Sequence, residues 1–229
     1  MRFPPDRQPR SRGRLAVLAT VASVLGGCLN HYQIHPRQVP SGVVTWNEEV
    51  VRGKLLLRLE GAHPAGEGRF PVVLVHPEAG HSAREMRGIL HSLALEGYLA
   101  VAADYRRARG GVYRSTLFTW KDPGDVTAAF DLLRAHPRAD RERIAAIGFS
   151  QGGVYSLLIA SQTRLRAVVA YYPVSDFAHW LSDPERIAGR RLVFKLIRKY
   201  FRRASGARTE EEFREILAHA SPGTSVAGG

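Results

Sequence analysis

Five consecutive residues, Gly148-Phe149-Ser150-Gln151-Gly152, have the types and spacing to do chemistry. A serine hydroxyl becomes a nucleophile once a base takes its proton, and its attack on an ester or amide carbonyl gives an acyl-enzyme. Glycines two positions before and after the serine suit a sharp strand-to-helix turn. There the serine backbone is strained, and only residues without a Cβ let the strand and helix approach so closely. A helix N-terminus behind Ser150 would favour developing negative charge. The plainer alternative is a turn whose serine merely caps the helix.

The flanking elements agree with the chemical reading. Arg143 to Ile147 reads as a short buried strand, and Gly153 to Ala160 carries apolar residues on a helical period. Upstream, Val43 to Leu59 alternates in places and reads as an antiparallel pair, and Gly61 to Gly68 is turn-rich. Phe70 to Val75 is a continuous apolar run, of the kind buried on both faces. A helix is expected from about Ser82 to Glu96, a strand over Tyr98 to Ala103, and a helix over Asp125 to Ala135. Residues 105–121 form a basic, glycine-containing loop, and Ala167 to Tyr172 is a last strand. Strands alternating with helices at this spacing predict an α/β fold with a mostly parallel sheet flanked by helices.

From about Val72 to Trp180 the chain resembles the α/β-hydrolase superfamily, in its dienelactone hydrolase and prolyl-oligopeptidase-like branch. The resemblance is carried by His76-Pro77-Glu78-Ala79-Gly80, Ala103-Asp104-Tyr105-Arg106, Asp140 to Ile144 leading into the serine turn, and Tyr171 to Asp176. It implies that Ser150 is the nucleophile of a serine hydrolase acting on a small ester or peptide, with no cofactor and no metal. It also implies an oxyanion hole made by two backbone N–H groups, that of Gln151 and one from the loop 76–80. Pro77 has no N–H to give, so the second donor is assigned to Glu78. His76 reads as a structural histidine at a strand end.

In the family an acid and a histidine follow the two strands after the one ending at Tyr172. Here Ala218 to Pro222 resembles the stretch before the acid-bearing strand, and only seven residues follow it. The sheet is therefore expected to lack the last two strands, making the domain 43–229 incomplete and leaving an unpaired apolar edge. Asp176 and His219 preserve the order nucleophile, acid, histidine and stand as candidate substitutes. Their plainer roles are a helix cap and a surface histidine. His81 and His179 are further histidines whose spacing leaves their place relative to Ser150 open.

The N-terminus reads as a targeting segment. Arg7, Arg10, Arg12 and Arg14 precede the apolar stretch Leu15 to Leu25, whose 11 residues are too few to span a bilayer. Leu25-Gly26-Gly27-Cys28 resembles the lipobox of bacterial lipoproteins, implying a signal peptide over 1–27, acylation of Cys28 and tethering to a membrane. Cys28 is the only cysteine, so it has no internal disulfide partner. Leu29 follows it, which by the same resemblance favours the periplasmic face of the outer membrane, with 28–42 as a linker.

The net charge of +12 divides into +4 from residues 1–27 and +8 from the rest. Much of the remainder lies in Arg190 to Arg203, seven basic residues with no acid. No nucleic-acid-binding signature accompanies it, so no nucleic-acid partner is expected. This segment reads as an amphipathic helix with Val193, Leu196, Ile197, Tyr200 and Phe201 on one face and Lys195, Arg198 and Arg202 opposite. It suits a lid, a membrane-surface patch, or a helix packed apolar side inward. Beside the hydrolase reading stand two alternatives: a catalytically incompetent α/β-hydrolase-like lipoprotein, and a membrane-surface module acting through residues 190–203.

Overall fold

The apolar run at Phe70 becomes the central strand of a six-stranded sheet. The computed structural model describes residues 38–52, 55–78, 81–104, 124–182 and 191–222. The leader, Cys28, the loop 105–121 and the tail from 223 onward lie outside the described residues. The strands are β1 (Val43–Arg52), β2 (Leu55–Pro64), β3 (Phe70–His76), β4 (Leu99–Asp104), β5 (Ala139–Phe149) and β6 (Ala167–Tyr171). The helices are α1 (Arg87–Leu95), α2 (Gly124–Ala135), α3 (Gln151–Gln162), α4 (Phe177–Trp180), α5 (Arg191–Ser205) and α6 (Glu210–Ala220). A 3₁₀ turn over Ala83–Met86 leads into α1.

The sheet runs in the order β1-β2-β4-β3-β5-β6. β1–β2 and β2–β4 are antiparallel; β3–β4, β3–β5 and β5–β6 are parallel. After β3 the chain goes first to one side, as β4, and then to the other, as β5. That reversal opens a crevice at the C-terminal ends of β3 and β5, where sites of open α/β sheets form.

Period-two alternation divides the core in two. Val73 and Val75 join Ala100, Ala102, Met86 and Leu90 beneath α1 on one face. Val72 and Leu74 join Val101, Ile144, Val126, Phe130, Val154 and Ile159 beneath α2 and α3 on the other. Both faces of β3 are covered, which is why its sequence is apolar without interruption.

Three expectations are corrected. Gly61 lies inside β2 rather than in a turn. It pairs with Trp46 on β1, whose indole lies across it: a Cβ there would stand 2.6 Å from Nε1. β5 begins at Ala139, four residues before the expected start, because Phe70 N–H and Arg138 C=O pair the strand entrances (2.8 Å). On α5, Phe194 and Phe201 are the described buried aromatics, and Arg198 is half-buried, its guanidinium engaged by neighbouring elements rather than left wholly to water. Its guanidinium donates to the Leu181 carbonyl (3.0 Å), pairs with Glu210, and lies 5.5 Å from the centre of the Phe213 ring. Among the described residues β6 lies at the sheet edge, with Val169 and Tyr171 exposed.

Candidate active site

β5 delivers Ser150 into a backbone conformation that L-residues rarely adopt, φ 50° and ψ −112°. Its N–H donates to the Tyr171 carbonyl (2.9 Å) at the end of β6, and its carbonyl accepts from Val154 N–H (3.3 Å), the first helical bond of α3. The flanking glycines are sterically required. A Cβ on Gly148 would overlap the Gly152 carbonyl and stand 2.6 Å from Gly153 N. A Cβ on Gly152 would overlap the His76 carbonyl oxygen and stand 2.6 Å from that of Pro77. The turn is thus wedged between α3 and the end of β3, with Ser150 half-buried.

That close approach brings the loop after β3 against the first turn of α3. Helices leave their first N–H groups without intrahelical acceptors, so those of Gln151 and its neighbours face this crevice end of the sheet. The Gln151 side chain is buried and donates from Nε2 to the Tyr155 hydroxyl (2.8 Å) within the same helix. His76 is fully buried and edge-on to the Tyr155 ring. Burial lowers its pKa from 6.5 to about 3, so it is neutral at pH 7. This is a packed strand-end histidine.

Glu78 and His81 form a buried pair at the same edge, with Nδ1 3.0 Å from Oε1. Burial raises the Glu78 pKa, and the charge and hydrogen bond of His81 partly offset the rise. Asp104, buried at the end of β4, accepts from Ala83 N–H through Oδ1 (2.6 Å). Ser82 and Glu85 add a capping box, Ser82 N–H donating to Glu85 (2.6 Å), so the start of the 3₁₀ turn is held from both sides. The Glu78–His81 pair is not legible as a pair in the sequence, although both residues are.

Asp176 and His219 are placed differently from Ser150. The Asp176 carboxylate accepts from His179 N–H (2.8 Å) and caps α4. His219 is exposed in the last turn of α6. Phe177 N–H donates to Ser221 Oγ (2.8 Å), which ties the start of α4 to the end of α6. The two segments therefore meet, but among the described residues neither Asp176 nor His219 is hydrogen-bonded to Ser150. His179 lies exposed on α4.

The chemistry this edge can support is acyl transfer: a strained, presented hydroxyl beside a helix N-terminus and a second backbone loop. Comparison with known proteins agrees at the level of family. The dienelactone hydrolase family model matches residues 60–190. An uncharacterized peptidase of Bacillus subtilis (strain 168) is 32% identical over 146 residues, covering 62% of this chain and 56% of its own. A dienelactone hydrolase-like promiscuous phosphotriesterase from metagenomic libraries has a similar solved structure, with TM-score 0.51 and 26% identity. The match covers 58% of this chain and 61% of that one. Acetyl xylan esterase 1 from Thermoanaerobacterium sp. shares the fold (TM-score 0.54, 19% identity, 87% of this chain and 73% of that one). The chain spans about half the length of the curated relatives it matches, between 51% and 56%. With the matched segment running from within β2 past Ser150 and α4 to the residue before α5, the chain belongs to the dienelactone hydrolase family of hydrolases.

Proposed function

We propose that the protein is a membrane-tethered serine hydrolase that cleaves a carboxylic ester or peptide bond through a Ser150 acyl-enzyme. The observation that carries this reading is the φ 50°, ψ −112° backbone of Ser150 between two glycines that nothing larger can replace. Strain of this kind is held where it presents a reacting group. Ser150 Oγ attacks the carbonyl carbon as its proton passes to a base, and the oxyanion is received by the N–H groups of Gln151 and Glu78. The carbonyl carbon–leaving-group bond breaks, the leaving group takes the proton, and water then releases the acid and regenerates Ser150. Asp176 and His219 are the candidates for acid and base. The signal peptide over 1–27 and acylated Cys28 place the domain at the periplasmic face of the outer membrane.

A fluorophosphonate probe tests the assignment. Ser150 is expected to label and Ser150→Ala to stay unlabelled; loss of labelling in His219→Asn or Asp176→Asn would assign the substitutes. A wild-type chain that never labels favours the second reading, a non-catalytic family member, supported by the absence of any described hydrogen-bond partner on Ser150 Oγ. The reading of residues 190–203 as a membrane-surface module has less support, since Phe194 and Phe201 are spent on the core.

A further inference from the structure

The end of the sheet opposite Ser150 is basic. The parallel strands β4, β5 and β6 begin there, and the loops and helix ends around them carry Arg69, Arg134, Arg138, Arg141, Arg164 and Arg166. All are exposed except Arg138, which is half-buried. Asp140 is matched by Arg143 (2.6 Å), leaving Glu67, Glu96, Asp131 and Glu142 as the opposing carboxylates. Three of the arginines are held in place by the backbone: Arg141 Nε donates to the Arg134 carbonyl (3.1 Å), Arg166 Nε to that of Glu142 (2.8 Å) and Arg138 Nη1 to that of Gly68 (3.4 Å). Between α2 and α3 four of them, Arg134, Arg141, Arg164 and Arg166, line a groove of about 560 Å³.

β1 starts at this same end, while Gln38 and Val39 before it turn back along the sheet beside Glu60, Gly61 and Arg87. Val43 pairs with Pro64, and β2 runs antiparallel to β4, which puts the start of β1 level with the start of β4. Gly42 accepts from Ala65 N–H (2.7 Å), three residues before Gly68, whose carbonyl accepts from Arg138 Nη1 (3.4 Å). Nine residues lie between Cys28 and Gln38, and the ten steps between the two reach at most about 35 Å when fully extended. β5 bulges between Ala139 and Ile144, so from Ala139 to Gly148 it matches only Phe70 to His76 of β3, a height of about 20 Å. A tether of that reach lets either end of the sheet approach the membrane, so the choice between them falls to charge.

We infer that the arginine face at the N-terminal ends of the strands is a docking surface for an anionic phospholipid bilayer, and that it holds the Ser150 end facing away from the membrane. The presence of a membrane rests on the tether reading above; the orientation rests on the charge. Guanidinium groups pair with headgroup phosphates bidentately, and their attraction to an anionic surface falls within a Debye length.

The test uses the full chain with a fluorophore at Ala135→Cys, on the arginine end, or at Ser175→Cys, on the Ser150 end, both exposed. Ser161→Cys supplies a second reporter on the arginine end should the first label lower Tm. Vesicles of phosphatidylcholine, alone or with phosphatidylglycerol, carry a headgroup nitroxide quencher, and acylation of Cys28 is read separately by mass spectrometry. In phosphatidylglycerol vesicles quenching at position 135 is expected to exceed that at 175 by about threefold, the difference collapsing in 0.5 M salt. Arg134→Gln with Arg164→Gln, neither side chain having a described hydrogen bond, should collapse it as well. Equal quenching at the two ends, stronger quenching at 175, or indifference to phosphatidylglycerol would overturn the inference. An unacylated Cys28 with the difference intact would remove the tether and leave the arginine face standing.

Discussion

The carbonyl oxygen of His76 lies against the Cα of Gly152 so closely that no side chain fits between them. This contact joins the end of β3 to the first turn of α3 and fixes the distance between the two proposed oxyanion donors.

Gly152→Ala is therefore expected to destabilise the protein by about 3 kcal/mol, the upper part of the range for forcing a methyl into a filled site. Urea denaturation would measure it. Any hydrolase activity should fall further than stability predicts, because the loop after β3 must move away from Ser150. Gly66→Ala, where a Cβ meets open space but φ is 151°, tests conformational strain without the clash.

Ser150 stores strain that a glycine would release. Ser150→Gly should be more stable than Ser150→Ala by about 1 kcal/mol, since only the glycine accepts positive φ without cost. Equal midpoints in denaturant would show that the turn is relaxed.

Acid should destabilise the native state through His76. Its pKa is lowered from 6.5 to about 3 in the folded protein. Between those values the unfolded chain binds a proton that the native chain does not, so this stability is complete above pH 6.5 and is lost as pH falls towards 3. The slope approaches about 1.4 kcal/mol per pH unit for this one group. His76→Gln should flatten the fall in denaturation midpoint between pH 6.5 and 4.5. Glu78, its pKa raised by burial, has the opposite sign: its contribution is lost as pH rises through its folded-state value.

Arg198 should matter more to stability than its exposed neighbours on α5. Arg198→Ala removes the bond to Leu181, the pair with Glu210 and the contact with Phe213, and is expected to cost about 1–2 kcal/mol. Lys195→Ala, an exposed change, should stay within about 0.5 kcal/mol. A double-mutant cycle with Glu210→Ala should return a coupling below about 1 kcal/mol, because both side chains are partly in water.

The legible parts of the fold are those where sequence neighbours decide the outcome. Phe70 to Val75 is apolar at every position because β3 is covered on both faces, and the spacing of Gly148, Ser150 and Gly152 carries the turn by local sterics. What escaped the sequence depends on partners far along the chain. Gly61 looks like a turn residue until Trp46 is laid across it. Arg198 looks solvated until α6 supplies Glu210 and Phe213. That helix had its own signal: Thr209 accepts from Glu212 N–H (3.0 Å), and three glutamates occupy its first turn.

The bond from Gln151 to the Tyr155 hydroxyl means that the side chain opening α3 is bound by its own helix. Its rotamer freedom is surrendered when the chain folds, before any ligand arrives. A molecule settling beside Ser150 meets a first turn of α3 whose opening side chain is already fixed, and no reordering of that residue opposes its binding.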